Sequence, residues 1–281
     1  LPLGMAIVLG KFFGFIFGHV IRYHRKDALE NCARALPEKS PKEIKRIINT
    51  MYTYLGINVI ESIRLANYNA SYGEKYFTVT GWEHYQNEIE KGNGIISLMA
   101  HVGNWELIGL LALLKNEKNG AIIVKPIKPP ALNDYLVGVR KKIGATVIPR
   151  DNAFRPALKL LRKNQCVGFI LDQNVIESEG IFVDFFGREA CTTPGCALLA
   201  KKSGAAVLPF WDIRKDSRHH EIRIGEPIAA PNWDDEDSVH DFTQTCTKVI
   251  EDFIREYPEQ WIWIHRRWKT QRSSAMPEVS D

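Results

Sequence analysis

The sequence predicts an α/β fold, a central mostly parallel or mixed sheet flanked by helices, with an N-terminal membrane-associated helix. Three observations carry that expectation. From residue 76 onward, short apolar runs of strand length alternate with helical patterns, the signature of a sheet with covering helices. Two of the runs end in polar residues, His101 and Asp172, which places both at strand carboxyl ends, the edge where ligands of such sheets bind. Leu3 to Ile21 is almost wholly apolar over nearly the length of one bilayer span. The chain therefore divides into residues 1–26, a membrane helix with a basic flank, and residues 27–281, a single α/β domain. A length of 281 residues suffices for the core of one such domain.

Taken in order, the first helix is interrupted only by Lys11 and His19 and is followed at once by Arg22, His24, Arg25 and Lys26. Basic residues on that side put the rest of the chain in the cytoplasm by the positive-inside rule. Gly4, Gly10, Gly14 and Gly18 suit close helix packing in lipid. Whether the helix spans the bilayer or lies in its interface stays open; a buried amphipathic helix on the domain is the alternative. Asn31 to Leu36 continues helically until Pro37. Ser40-Pro41-Lys42-Glu43 then reads as a capping box with proline at the first helical position, opening a long helix to about Leu65. Strands are expected at 76–80, 95–100, 121–124, 145–148, 166–171, 206–211 and 220–224, with an extended segment over 180–186. Helices are expected at 82–90, 105–115, 133–143, 154–163, 193–203 and 238–256.

The stretch from Gly94 to Gly109 is the most informative. An uncharged apolar run ends at His101, Gly103 and Asn104 break it, and a helical pattern follows with Glu106 in its first turn. On one continuous helix His101 and Glu106 would sit about 140° apart and could not face each other. If they meet, His101 must lie off the helix, with Asn104 as N-cap. An ionised Glu106 beside the imidazole would then fix its tautomer, as a general base requires, and the helix-start N–H groups would hold an oxyanion. An ordinary surface pair is the competing reading. Arg140, Lys141 and Lys142 form a basic cluster, either a solvated helix face or a site for phosphate or carboxylate. Asp172 would orient a site group or cap a turn with Gln173 and Asn174. The segment 257–269 interleaves Trp261, Trp263 and Trp268 with His265, Arg266, Arg267 and Lys269. That suits a membrane interface, an anionic headgroup or single-stranded nucleic acid, and equally a buried strand.

Several classes are disfavoured. A net charge of +4 is too small for general nucleic-acid binding and fits work near anionic lipid or an acidic partner. The five cysteines have no zinc-site spacing, so no metal is expected and a reducing compartment is implied. There is no Gly-x-Ser-x-Gly elbow, Walker loop, dinucleotide fingerprint or His-Glu-x-x-His helix.

His101-x4-Glu106 after an apolar strand resembles the HX4D/E motif of glycerolipid-type acyltransferases. Together with Leu171-Asp172-Gln173-Asn174, Phe182-Val183-Asp184-Phe185-Phe186-Gly187 and the 258–269 stretch, it resembles the late acyltransferases of lipid A biosynthesis, the lauroyl and myristoyl transferases. The mycobacterial phosphatidylinositol mannoside acyltransferases belong to the same group. The resemblance covers nearly the whole chain. It implies a glycerolipid acyltransferase-like fold at the cytoplasmic face of the bacterial inner membrane. The implied reaction is acyl transfer from an acyl-carrier-protein or CoA thioester to a hydroxyl of a glycolipid, with no cofactor, metal or nucleic acid. It implies His101 and Glu106 as catalytic residues and Arg140, Asn104, Asp172 and Gln173 as substrate-binding ones. Asn174 departs from the acid that the family's Asp-Gln-Asp-like segment carries. A thioesterase or lysolipid hydrolase at the same site, an acyltransferase acting on phospholipid or phosphatidylinositol mannoside, and a non-enzymatic lipid-binding protein are the alternatives.

Overall fold

The computed structural model describes residues 2–115 and 120–273; residues 274–281 of the expected domain lie outside them. In chain order the helices are α1 (Leu3–Phe15), α2 (Arg25–Ala35), α3 (Pro41–Arg64), α4 (Ala70–Tyr76), α5 (Trp82–Glu90), α6 (Leu111–Leu114), α7 (Pro130–Lys142), α8 (Phe154–Leu161), α9 (Gly195–Ser203) and α10 (Ser238–Glu256). The strands are β1 (Phe77–Thr80), β2 (Ile95–Met99), β3 (Gly120–Val124), β4 (Thr146–Pro149), β5 (Cys166–Ile170), β6 (Ile181–Asp184), β7 (Glu189–Thr192), β8 (Ala206–Arg214) and β9 (His220–Ile224). Seven strands form one sheet in the order β1-β9-β8-β2-β5-β3-β4, and β6 pairs with β7 in a separate antiparallel ribbon. Within the large sheet only the β8–β9 pairing is antiparallel. The expected parallel middle is therefore present, with β2 central and buried at every position. Such a strand is covered on both faces and reads as a continuous apolar run.

The capping box forms as its residues dictate. Ser40 Oγ accepts from the Glu43 N–H, and the Glu43 carboxylate accepts from the Ser40 N–H at 2.8 Å. The inward stripe of α3 includes Ile44, Ile47, Ile48, Met51 and Tyr52, but also Asn58 and Glu61. The segment expected as a helix over 105–115 is instead a 3₁₀ helix (Trp105–Leu110) leading into α6. Helix α7 begins earlier than expected because Pro130 occupies its first position, where proline is pre-organised.

Leu3–Val20 is long and apolar enough to cross a membrane by length and composition. α1 continues through a π turn (Ile16–Val20) and lies antiparallel on α3. A Cβ on Gly56 would stand 2.2 Å from the Gly10 carbonyl, and one on Gly14 2.3 Å from the Tyr52 carbonyl, so these glycines set the approach. The opposite face remains bare: Val8, Phe12, Phe15, Val20 and Ile21 are all more than half exposed.

Candidate active site

His101 follows β2 in a bend, off any helix, and Glu106 sits in the first turn of the 3₁₀ helix. That placement agrees with the five-residue spacing. The expected contact between them is replaced by another. β2 and β5 are paired in parallel with Met99 opposite Ile170, and the Leu171 N–H donates to the Met99 carbonyl at 3.1 Å. Two residues further along both strands, that register sets His101 opposite Asp172. His101 Nδ1 donates to Asp172 Oδ1 at 2.8 Å, and the His101 backbone N–H donates to Oδ2 at 2.9 Å. Trp261 Nε1 donates to the same Oδ2 at 2.8 Å. Asp172, expected to touch substrate, is only 3% exposed and instead holds the histidine.

The electrostatics follow from these bonds. Burial disfavours the Asp172 carboxylate, but His101 and the donated hydrogen bonds outweigh it, leaving its pKa at about 2. Burial likewise disfavours a charged His101, yet Asp172, and at longer range Glu106, raise its pKa above the ordinary histidine value. With Nδ1 committed to a carboxylate, Nε2 is the nitrogen left as acceptor, and the Gln173 amide approaches it at 3.2 Å. The Trp105 ring stands edge-on to the imidazole, 4.7 Å between centroids.

Glu106 is gripped by Arg140 through a two-pronged bond, Nε to Oε2 at 3.0 Å and Nη2 to Oε1 at 2.6 Å. A bidentate guanidinium outcompetes an imidazole for a carboxylate it can reach squarely. Both side chains, with Trp105, line a largely apolar cavity of about 110 Å³ whose walls include Met99, Ile108, Ile143 and Phe210. The basic cluster divides: Arg140 is paired at the cavity, while Lys142 Nζ donates to the Ala66 carbonyl.

Asn104 corrects a second expectation. It is 2% exposed, makes no side-chain cap, and cannot reach a substrate. Its amide donates to Glu61 Oε2 at 3.1 Å, and its backbone N–H donates to Asp212 Oδ2 at 2.8 Å. The Gly103 carbonyl accepts from Asn58 Nδ2 at 2.5 Å, and its N–H donates to the Gln260 carbonyl at 2.9 Å. Gly103 has φ +56°, and a Cβ there would sit 1.9 Å from the Asp212 carbonyl, so only glycine fits. Beneath this turn lies a fully buried charge cluster. Arg214 bonds Glu61 through both Nη atoms, and His220 lies between Asp212 and Glu61. Glu61, Asp212, Arg214 and His220 went unrecognised in the sequence. Their signal was there: two ionised residues inside the apolar β8 run and one in the inward stripe of α3 need partners once buried.

The Trp-rich segment is internal. Trp261 and Trp263 are essentially inaccessible, and Trp261 forms an isolated bridge with Val102. Arg267, 0% exposed, donates to the carbonyls of Cys191 and Gln173 and to Thr192. The buried reading of these tryptophans therefore prevails over a membrane or nucleic-acid surface. Asn174 donates its N–H to His265 Nε2 at 3.0 Å and exchanges amide bonds with Thr270, so it pins the C-terminal segment under the site.

A mostly parallel sheet presents a carboxylate-held histidine at its carboxyl edge, close to an apolar cavity, in an α/β fold. Comparison with known proteins gives the class. The profile of the bacterial lipid A biosynthesis acyltransferase family matches residues 1–270. The chain belongs to that family and is an acyltransferase. Among its relatives, the lipid A biosynthesis lauroyltransferase of Escherichia coli is 25% identical over 99% of this chain and 89% of its own length. The E. coli lipid A biosynthesis myristoyltransferase is 25% identical over 96% and 84%. A lipid A biosynthesis acyltransferase of Haemophilus influenzae is 23% identical over 92% and 80%. The solved 1-acyl-sn-glycerophosphate acyltransferase of Thermotoga maritima is 14% identical, covering 89% of this chain and 98% of its own, with a TM-score of 0.40.

Proposed function

We propose that this acyltransferase moves a fatty acyl chain from an acyl-carrier-protein or CoA thioester to a hydroxyl of a lipid A precursor or related glycolipid, working at the cytoplasmic face of the bacterial inner membrane. The observation that carries the reading is the His101–Asp172 pair beside the apolar cavity. His101 Nε2 takes the proton from the acceptor hydroxyl as its oxygen attacks the thioester carbonyl. Asp172 fixes the tautomer and stabilises the imidazolium. The Trp105 and Glu106 N–H groups open a helix and lack intrahelical partners, which suits them to the tetrahedral oxyanion. Collapse of that intermediate expels the thiolate, and the imidazolium returns the proton to it. The acyl chain enters the cavity past the Glu106–Arg140 pair. That pair replaces the direct Glu106–imidazole contact expected from spacing, so Glu106 acts on His101 through its field and on the substrate through the cavity mouth. The bare face of α1, rich in phenylalanine and followed by Arg22, Arg25 and Lys26, supports membrane association.

Purified protein given acyl-carrier-protein or CoA thioester, with and without glycolipid acceptor, tests this. Acyl transfer to the lipid that disappears in His101→Ala is the expected result. Thiol release independent of acceptor would show a thioesterase instead, and full transfer by His101→Ala would overturn the mechanism.

A further inference from the structure

The π turn, the linker after it, α2 and α3 line a cleft of about 580 Å³ that contributes nothing to the His101 site or its cavity. Its wall carries Arg22, Arg25, Lys26 and Lys45 with a single carboxylate, Glu30. Arg25 is pre-positioned: it donates to the Gly18 carbonyl at 3.1 Å and to Asn49 Oδ1 at 2.6 Å. Among the described residues, Arg22 uses only Nε, on the His19 carbonyl at 3.4 Å, which leaves its two Nη groups for a ligand. Lys45 has no hydrogen bond or ion pair among the described residues, and the Lys26–Glu30 contact is long, at 3.9 Å. His19, which also lines the cleft, has a buried Nδ1 with no partner. The chain reaches this arrangement through left-handed backbone at Arg22 and His24, φ 54° and 49°, a conformation that non-glycine residues rarely adopt.

We propose that this cleft binds the phosphate of a net anionic lipid. Convergent cations with unused donors match a tetrahedral phosphate anion, and arginine supplies the paired N–H fork. The neighbouring exposed Val20 and Ile21 end the bare face of α1, so the ligand sits at headgroup level. A nucleotide is disfavoured because the ring nearest the cleft, His19, is already stacked on Phe15 at 5.0 Å. The inference rests on the reading that α1 lies in lipid.

The test is co-sedimentation of the full chain with phosphatidylcholine vesicles, plain or containing phosphatidylglycerol. It compares wild type, Arg22→Gln/Lys45→Gln, and a charge-matched control, Lys201→Gln/Lys202→Gln on α9. The expected result is a wild-type preference for the anionic vesicles that falls roughly 30-fold in the cleft variant, the loss of two cations at a lipid surface, and is kept in the control. An equal loss in the control would mean diffuse attraction and overturn the site. Equal wild-type binding to both vesicles would overturn the phosphate site while leaving the membrane reading intact. Binding to neither would overturn both. Neutral vesicles doped with phosphorylated or dephosphorylated glycolipid then separate the sources. A cleft-variant loss confined to the phosphorylated glycolipid identifies the acceptor, and a loss shared with phosphatidylglycerol identifies headgroups at large.

Discussion

Two histidines are held by buried aspartates on either side of one loop, with opposite surroundings. His101 Nδ1 lies 2.8 Å from Asp172, and His220 Nδ1 lies 2.9 Å from Asp212. Both aspartates also accept a backbone N–H from one short loop, Asp172 from His101 and Asp212 from Asn104. The two pairs thus clamp that loop from two sides. They differ at the second ring nitrogen. His101 Nε2 meets a neutral amide, and its side chain keeps 20% exposure; His220 Nε2 faces Glu61 at 3.5 Å, with 2% exposure. A histidine–carboxylate bond is therefore no signature of chemistry by itself. A second ring nitrogen that is accessible and meets only a neutral amide separates the pair we propose as catalytic from the structural one.

The sharpest way to break this comparison is to remove each ring. His101→Ala is expected to lower turnover by about 10³-fold or more, within the range of general-base catalysis, with a smaller drop in melting temperature than His220→Ala because Asp172 keeps its backbone and Trp261 donors. His220→Ala is expected to lower stability first. Turnover assayed beside thermal melting separates the two, and parallel losses in both readouts for both variants would erase the distinction. Next in size is Glu61→Ala. It leaves Arg214 buried without its carboxylate and His220 with Asp212 alone, and removing one partner of such a cluster costs about 3–5 kcal/mol, measurable as a shift in the urea midpoint. Because Asn104 loses one of its side-chain partners as well, the residual folded enzyme is expected to be slower.

Asp172→Asn probes the proposed catalytic pair more gently. Asp172 raises the His101 pKa, so its neutral replacement lowers that pKa. The base then stays deprotonated to lower pH, and the acidic limb of the pH–rate profile moves down while turnover falls. An unmoved limb would exclude His101 as the titrating base. The structural pair answers in stability. Burial opposes the charged form of His220, but Asp212 and Glu61 outweigh it and raise its pKa to about 9. A raised folded-state pKa contributes stability that is fully present below about pH 6.5, the unfolded histidine value, and lost as pH rises through about 9. Urea midpoints should therefore decline across that window in the wild type and decline less in His220→Gln.

Much of the site was legible because its residues sit at strand ends. An apolar run ending in His101 and another ending in Asp172 placed both on one edge, and the five-residue spacing correctly kept His101 off the helix. The partner of the histidine was not legible. Asp172 is 71 residues away in the chain, and nothing local reveals that β5, rather than β3, lies beside β2. The same limit applies to Arg140, whose grip on Glu106 spans 34 residues, and to Arg267, a cation among surface-like neighbours that proves to be wholly internal.

The sequence by itself determined what period and chemistry encode: an alternating α/β domain, the capped α3, an apolar first helix with a basic flank, and a histidine at a strand end. Those features depend on neighbours within a turn or two, where side-chain period and backbone hydrogen bonding act. Tertiary structure alone decided which carboxylate holds His101, which charges are buried, and that α1 lies on α3 with one face bare. Each of these depends on strand order, parallel register or helix contact between distant segments, and burial turns that proximity into pKa and function.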